Sequence, residues 1–324
     1  MLQDCRFEGQ VAAVHGEFEA LVDFRHFGRG EATIRYELVG TSGPLLVVAG
    51  GISADRHVVA SRELPEAGWW QAVVDAFAPD RNRILAIDWL GADGRIDRPI
   101  DPADQAEALA LTLDHLGLDR CDAFVGASYG AMVGMHLAAL HPDRVGRLLA
   151  FCAAHRAHPF ASALRSVQRR TIALAETLGD ANDGVALARS LAMITYRSPE
   201  EFEQRFAAPP AIRDGAVEIG ADSYLAAQGE RIVGRLGAVA YRRLSESIDL
   251  HAIEPRSIRC PVTLAGADTD QLVPLADVEA LAAASPGSEI HVIRSLYGHD
   301  AFLKEAGQVG AILSSSLCSL GARS

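Results

Sequence analysis

The chain has 324 residues, 49% of them hydrophobic and 22% charged, which is enough apolar material for a large core and argues against disorder. A formal net charge of −12 speaks against a nucleic-acid surface and mainly reports solubility. Five cysteines (Cys5, Cys121, Cys152, Cys260 and Cys318) are scattered, odd in number and free of C-x-x-C spacing, so the expectation is a reduced cytoplasmic protein with no metal site. The first residues, Met1-Leu-Gln-Asp-Cys-Arg-Phe-Glu8, show no basic stretch leading into an apolar run, and no segment reaches membrane-spanning length. Neither a signal peptide nor a membrane partner is therefore expected.

Residues 31–39 alternate, with Ala32, Ile34, Tyr36 and Leu38 on one side, as in an antiparallel strand with one wet face. After the turn at Thr41-Ser-Gly-Pro44, residues 45–49 form a continuous apolar run, the pattern of a strand buried on both faces. That run ends in Gly50-Gly-Ile-Ser-Ala-Asp-Arg-His57, a loop rich in functional side chains. Residues 69–77 read as a helix, and residues 83–88 as the next buried strand. Asp101-Pro102 opens a helix through His115, with proline in the first turn, where its missing donor is harmless.

Residues 121–125 are β-prone, Gly126-Ala-Ser-Tyr-Gly130 follows, and residues 131–140 are apolar and helical. Strand, G-x-S-x-G and helix in that order predict a nucleophile elbow, which lifts Ser128 Oγ clear of a sheet and aims helix N-terminal amides at a developing oxyanion. Residues 147–154 read as a further strand. From about 159 to 253 the pattern is helical, with no convincing buried strand. Strands resume at 261–266 and 289–294, and a helix at 301–317 closes the chain. The expectation is an α/β fold of the α/β-hydrolase type, a doubly wound and mostly parallel sheet. Its core would span residues 1–155 and 256–324, with a helical lid inserted at 156–255.

A hydrolase-type serine needs an acid and then a base downstream. Asp268 and Asp270 compete for the first role; Asp270, four residues before Pro274, is preferred, and turn capping is the alternative role for Asp268. His299 sits behind Gly298 on the loop after the last strand, where the base belongs. On Ser128, Asp270 and His299 alone the chemistry stays open between acyl transfer, ester hydrolysis and an idle binding scaffold.

Several stretches are more specific: Gly51-Ile-Ser-Ala-Asp-Arg-His57, Ala188-Arg-Ser-Leu-Ala-Met-Ile-Thr-Tyr-Arg-Ser198, Asp222-Ser-Tyr-Leu-Ala-Ala-Gln-Gly229, Thr269-Asp-Gln-Leu272 and Tyr297-Gly-His-Asp-Ala-Phe-Leu303. With the elbow they resemble the homoserine O-acyltransferase family over nearly the whole chain from residue 30. The resemblance implies acyl-CoA as cosubstrate with no bound cofactor, L-homoserine as acceptor, a step of methionine biosynthesis and a homodimer. It further implies Ser128 as nucleophile, His299 as base, Asp270 as its orienting acid, and the amides of Ile52 and Tyr129 as oxyanion hole. Arg189 and Tyr196 would hold the acceptor's carboxylate, and Asp300 its ammonium. Two departures, Gly50-Gly-Ile-Ser-Ala54 and the shortened Gly91–Pro99 loop, bear on the acyl donor. Arg56, Arg95 and Arg98 are therefore the candidates for gripping a succinyl carboxylate; without such a grip the donor is acetyl-CoA. L-Serine as acceptor, or a carboxylester substrate, is the alternative on the same three residues.

Overall fold

The structure, a computed structural model, describes residues 11–318; Cys5 and the N-terminal sequence read for a signal peptide lie outside them. An eight-stranded sheet carries the fold: β1 (Ala13–Phe24), β2 (Gly28–Val39), β3 (Leu45–Ala49), β4 (Arg83–Ile87), β5 (Ala123–Ala127), β6 (Leu148–Phe151), and two late strands, Val262–Ala267 and Glu289–Ile293. Between these two groups the chain forms a small exposed hairpin, β7 (Ala211–Arg213) and β8 (Ala216–Glu218), so the late sheet strands are β9 and β10. The spatial order is β1-β2-β4-β3-β5-β6-β9-β10, parallel from β4 to β10 and antiparallel at β1, β2 and β4.

The unbroken apolar runs have a direct cause. Leu45, Val47 and Ala49 of β3 enter one core, while Leu46 and Val48 enter the other. The same division separates Phe124 from Val125 in β5 and Leu148 from Leu149 in β6. A strand whose every side chain leaves water gains about 1.5–3 kcal/mol per large aliphatic residue, so apolar residues are favoured at odd and even positions alike. One core lies under α2 (Pro102–His115) and α3 (Tyr129–Leu140). The other lies under the single-turn α1 (Val74–Phe77) and the last helix, Ala306–Leu317. Asp101 caps α2 from its side chain onto the Ala103 amide, and Asp104 returns the bond to the Asp101 amide at 2.8 Å, which fixes that helix start where the Asp-Pro pair predicted it.

Between β6 and β9 the chain forms five helices among the described residues: α4 (Pro159–Thr177), α5 (Ala181–Tyr196), α6 (Pro199–Phe206), α7 (Asp222–Val233) and α8 (Ala238–Leu250). Arg156 and Ala252 form an antiparallel bridge where the chain leaves and returns. Helix α9 (Leu275–Ala284) joins β9 to β10, and the C-terminal helical segment divides at Glu305 into α10 (Ala301–Lys304) and α11 (Ala306–Leu317).

Four readings of the sequence need correction. Strand β1 was not anticipated; it pairs with the whole of β2, and Val14 and Leu21 lie exposed on it, which blurs the alternation. The helix expected at 69–77 is a 3-10 turn followed by the single turn α1, ended by Ala78 in the left-handed region. Strand β6 stops at Phe151 because Cys152 turns to a φ of 50°. The helix expected at 301–317 is broken at Glu305.

Candidate active site

Strands β3, β5, β9 and β10 all deliver their carboxyl-end loops to one rim, where open α/β sheets bind ligands. Ser128 occupies the turn from β5 to α3 with φ 54° and ψ −120°, a conformation L-residues rarely hold without support from their surroundings. The flanking glycines are required by contact. A Cβ on Gly126 would meet the Ala131 backbone at 2.5 Å, and one on Gly130 would meet the Ala49 carbonyl oxygen at 2.2 Å.

His299 places Nε2 2.8 Å from Ser128 Oγ and Nδ1 2.6 Å from Asp270 Oδ2. The other oxygen of Asp270 accepts the Leu272 and Val273 amides at 2.8 and 3.0 Å, so the carboxylate cannot rotate away. An acceptor-only carboxylate on Nδ1 keeps the ring proton there and leaves Nε2 to accept from the serine O–H. Burial works against a charged His299, but the charge and hydrogen bond of Asp270, helped by the charge of Asp300, outweigh it and hold the imidazole above its ordinary pKa. Asp268 does not take part: its oxygens take the exposed Arg294 guanidinium and the Ser295 amide, both at 3.1 Å.

The loop after β3 docks on the elbow, with the Gly130 amide donating to Gly50 O at 2.7 Å and Trp89 Nε1 to Gly51 O at 3.0 Å. Among the described residues no hydrogen bond uses the amides of Ile52 or Tyr129. Ile52, Ser128 and His299 border a narrow cavity of about 40 Å³, walled also by Met132, Arg165 and Tyr196. Ile52 also borders a wider cavity of about 700 Å³ that reaches Arg56, Arg95 and Arg235.

Arg189 is half-buried, with its guanidinium 5.1 Å from the Tyr196 ring centroid, and that ring lies 5.8 Å from the His299 ring. Asp300 is buried but already paired, its Oδ2 3.1 Å from Arg197 Nη2. Burial raises the Asp300 pKa, against the opposing charges of Arg197 and Arg189. The end of α5 is stitched to the loops carrying Asp270 and His299. Gln271 donates to Arg197 O at 3.1 Å, and Ser198 Oγ donates to Leu296 O at 2.6 Å. Gly298, at φ 55°, packs so closely that a Cβ would stand 2.7 Å from Tyr196 O.

The three donor arginines are not brought to Ser128. Arg56 pairs with Asp88 and Arg95 with Asp93 on the wall of the wider cavity, and Arg98 lies exposed over the Phe27 ring. Each sits where a neighbouring carboxylate or ring already satisfies it.

A family model for the α/β-hydrolase fold matches residues 44–306. Homoserine O-succinyltransferase from Xanthomonas campestris pv. campestris is 48% identical over 314 residues, covering 95% of this chain and 85% of that one. The chain belongs to the homoserine O-acyltransferase family. A further relative in it, homoserine O-acetyltransferase from Thermus thermophilus, is 36% identical over 283 residues, covering 77% of this chain and 72% of that one. Among solved structures, homoserine O-acetyltransferase from Staphylococcus aureus superposes with a TM-score of 0.81 at 21% identity, over 94% of this chain and 95% of that one. Esterase E22 gives 0.83 at 15% identity, over 94% and 100%, so the shared fold extends beyond the acyltransferases.

Sequence reasoning missed three charged groups beside this family's site. Arg197, buried between Asp300 and Glu201, stood next to Tyr196 in the quoted motif without being given a role. Arg165 and its partner Asp249 lie in α4 and α8, 84 residues apart; the four-residue spacing of Arg165 and Arg169 was the only available signal. Among the described residues no group of three or more His, Cys, Asp or Glu is arranged to hold a metal, and no helix is long and apolar enough to cross a membrane.

Proposed function

We propose that this chain transfers an acyl group from acyl-CoA to the hydroxyl of L-homoserine through a Ser128 acyl-enzyme. The observation that carries the proposal is the Ser128–His299–Asp270 array standing beside the half-buried Arg189–Tyr196 pair. Ser128 Oγ attacks the thioester carbonyl as His299 Nε2 takes its proton. The Ile52 and Tyr129 amides receive the oxyanion. The thioester bond breaks, and His299 returns its proton to the departing thiol. The homoserine hydroxyl then gives its proton to His299 and attacks the acyl-serine, releasing the O-acyl ester and restoring Ser128. Arg189 is suited to the amino acid's carboxylate, with Tyr196 fixing the guanidinium plane. The Asp300 carboxylate is suited to its ammonium, and the charge of Arg197 offsets part of the cost of burying it.

The homodimer belongs to the same proposal. Leu174 on α4, Leu178 at its C-cap, and Leu187 and Ile194 on α5 are exposed, and sedimentation at micromolar concentration reads the assembly state. The cytoplasmic location does too, supported by the free thiols of Cys121, Cys152, Cys260 and Cys318.

The test is intact-mass spectrometry with acetyl-CoA or succinyl-CoA and no acceptor, followed by addition of homoserine or serine. One acyl mass on Ser128, discharged by homoserine faster than by serine or water, is the expected result. Absence of any covalent adduct, or discharge by water as fast as by homoserine, would overturn it.

A further inference from the structure

The loop half of the oxyanion hole is oriented by a side chain to which acyl transfer gives no task. An amide N–H and the carbonyl before it belong to one planar trans peptide and point opposite ways, so whatever holds Gly51 O also aims the Ile52 N–H. Gly51 O accepts from the Ala54 amide at 2.9 Å, closing a turn, and from Trp89 Nε1 at 3.0 Å. A carbonyl oxygen has two lone pairs, and these two donors occupy both. The successive glycines Gly50 and Gly51 restrain that peptide plane very little by themselves, so its orientation is left to the donors.

Trp89 is itself held from several sides. It is the second residue after β4 and is buried. Just before it, Asp88 accepts the Arg56 amide at 3.0 Å on one oxygen and pairs with the Arg56 guanidinium on the other, which fastens the far end of the same loop. Just after it, Leu90 is gripped at both backbone groups by Gln105 of α2: Gln105 Oε1 accepts the Leu90 amide at 2.8 Å, and Nε2 donates to Leu90 O at 3.0 Å. The indole then meets the Tyr129 ring in a T-shaped contact, with centroids 5.0 Å apart and planes at 76°. Tyr129 is fully buried, its hydroxyl 2.6 Å from Ser247 Oγ of α8, and its own amide is the other half of the hole. One side chain thus reaches both halves, the Gly51–Ile52 peptide by a hydrogen bond and Tyr129 by packing.

We propose that Trp89 is a positioning residue for the oxyanion hole: its indole N–H fixes the Gly51–Ile52 peptide so that the Ile52 amide meets the oxyanion formed on the thioester carbonyl. This rests on the acyl-transfer reading, which places that amide in the hole. The bond acts in two ways. It holds the peptide plane before substrate arrives, so no reorganisation is needed as charge develops. It also polarises the peptide, because a donor on Gly51 O draws electron density from the nitrogen and makes the Ile52 N–H a stronger donor. Both effects are felt in the transition state and not in the bound thioester, so the signature belongs to the acylation rate and not to acyl-CoA affinity. Acetyl and succinyl donors should show it alike.

The test uses two ring replacements on the full chain. The imidazole of histidine carries Nε2 two bonds from Cγ, as the indole carries Nε1, so Trp89→His keeps a donor in place and loses the six-membered ring. Trp89→Phe keeps more aromatic bulk and loses the donor. Pre-steady-state acylation of Ser128 is measured at about pH 8, where an ordinary histidine is neutral, from acyl-CoA and from p-nitrophenyl acetate. Trp89→Phe should be acylated about ten- to a hundredfold more slowly than wild type by either reagent, with its acyl-CoA affinity nearly unchanged. Trp89→His should lose less rate, yet melt lower, because it buries less ring. Rates that follow the melting temperatures, a Trp89→Phe acylated at the wild-type rate, or a loss confined to acyl-CoA affinity would each overturn the proposal. Should both variants unfold, wild type still decides. A fluorophosphonate on Ser128 puts a polarised oxygen in the hole, and the Trp89 indole proton, assigned by NMR with Trp69→Phe and Trp70→Phe, should move downfield; an unmoved proton overturns the assignment. Wild type acylated by p-nitrophenyl acetate but not by acyl-CoA removes the acyl-transfer reading, and the ester arm then decides the role of Trp89 by itself.

Discussion

Replacing Asp270 with Asn tests the array at its most constrained point. In the native chain one carboxylate oxygen accepts two amides and the other takes the His299 Nδ1 proton at 2.6 Å, with both residues only 6% exposed. Asparagine can keep its oxygen on the Leu272 and Val273 amides, so the loop holds. Its NH₂ then faces Nδ1, which cannot be answered by another N–H. The imidazole must move its proton to Nε2, toward Ser128, and the base is lost. In serine-type arrays of this geometry that change lowers turnover by about 10⁴, equivalent to about 5.5 kcal/mol. The rate of single-turnover acylation should fall by that order, with the melting temperature nearly unchanged. The pH profile carries a second reading. His299 acts only when neutral, and its raised pKa puts the acid limb of wild-type acylation above about 6.5. Without the Asp270 charge, burial is less opposed, so the residual activity of the variant should show its acid limb at lower pH. A folded Asp270→Asn within tenfold of wild type, or an Asp268→Asn that is the more damaged of the two, would refute the assignment of the acid.

Gly130→Ala should be unstable as well as slow: the new methyl would stand 2.2 Å from the Ala49 carbonyl, and the amide that ties Gly50 to the elbow sits on the same residue. Overpacking of this kind costs about 1–3 kcal/mol, read as a melting point several degrees lower. Arg189→Ala should reduce homoserine kcat/KM at least tenfold while slowing acylation much less, which stopped assays of the two half-reactions separate. Asp300→Ala should in addition destabilise the fold, because buried Arg197 loses one of its two carboxylate partners and keeps only Glu201, an effect of about 1–3 kcal/mol in urea unfolding. Acid stability should depend on two buried histidines, His136 held at about 4 and His251 at about 3 by burial. Their folded pKa values are depressed, so the unfolded chain takes up protons first and stability falls as pH drops below about 6.5. His136 Nε2 has no partner, so His136→Leu should remove about 3 kcal/mol of that slope between pH 6.5 and 4. His299, with a raised pKa, acts in the opposite sense above that window and does not obscure the comparison.

The sheet was legible in the sequence wherever a strand buries both faces, because Leu45–Ala49 and Ala123–Ala127 admit nothing but apolar or small residues. It was illegible at β1, where solvent accepts Val14 and Leu21 as readily as Glu17 and Glu19. Ser128, Asp270 and His299 could be read because the elbow, the acid loop and the base loop each follow a strand, so chain order reports spatial order. Arg165 and Asp249 could not. Their meeting depends on how α4 packs against α8, a contact between two helices of similar amphipathic pattern that no local spacing encodes. The candidate donor arginines show the same limit from the other side: each guanidinium stands beside a nearby carboxylate or ring, and the Ser128 cavity is lined by other residues.

The stitched end of α5 constrains how the site breathes. Tyr196, Arg197 and Ser198 are fastened to both the acid loop and the base loop, so this corner moves with His299 as one rigid body. Helix α4 packs extensively on α5 and goes with that corner, so room for a bulky thioester has to come from the side of α8 and the paired stems at Arg156 and Ala252. Arg189, seven residues before Tyr196, rides on the pivot's own helix. Its register with the base is therefore held by the same fastenings. In amide exchange this would separate the molecule into a slow corner and a faster flank, with the nucleophile on the boundary between them.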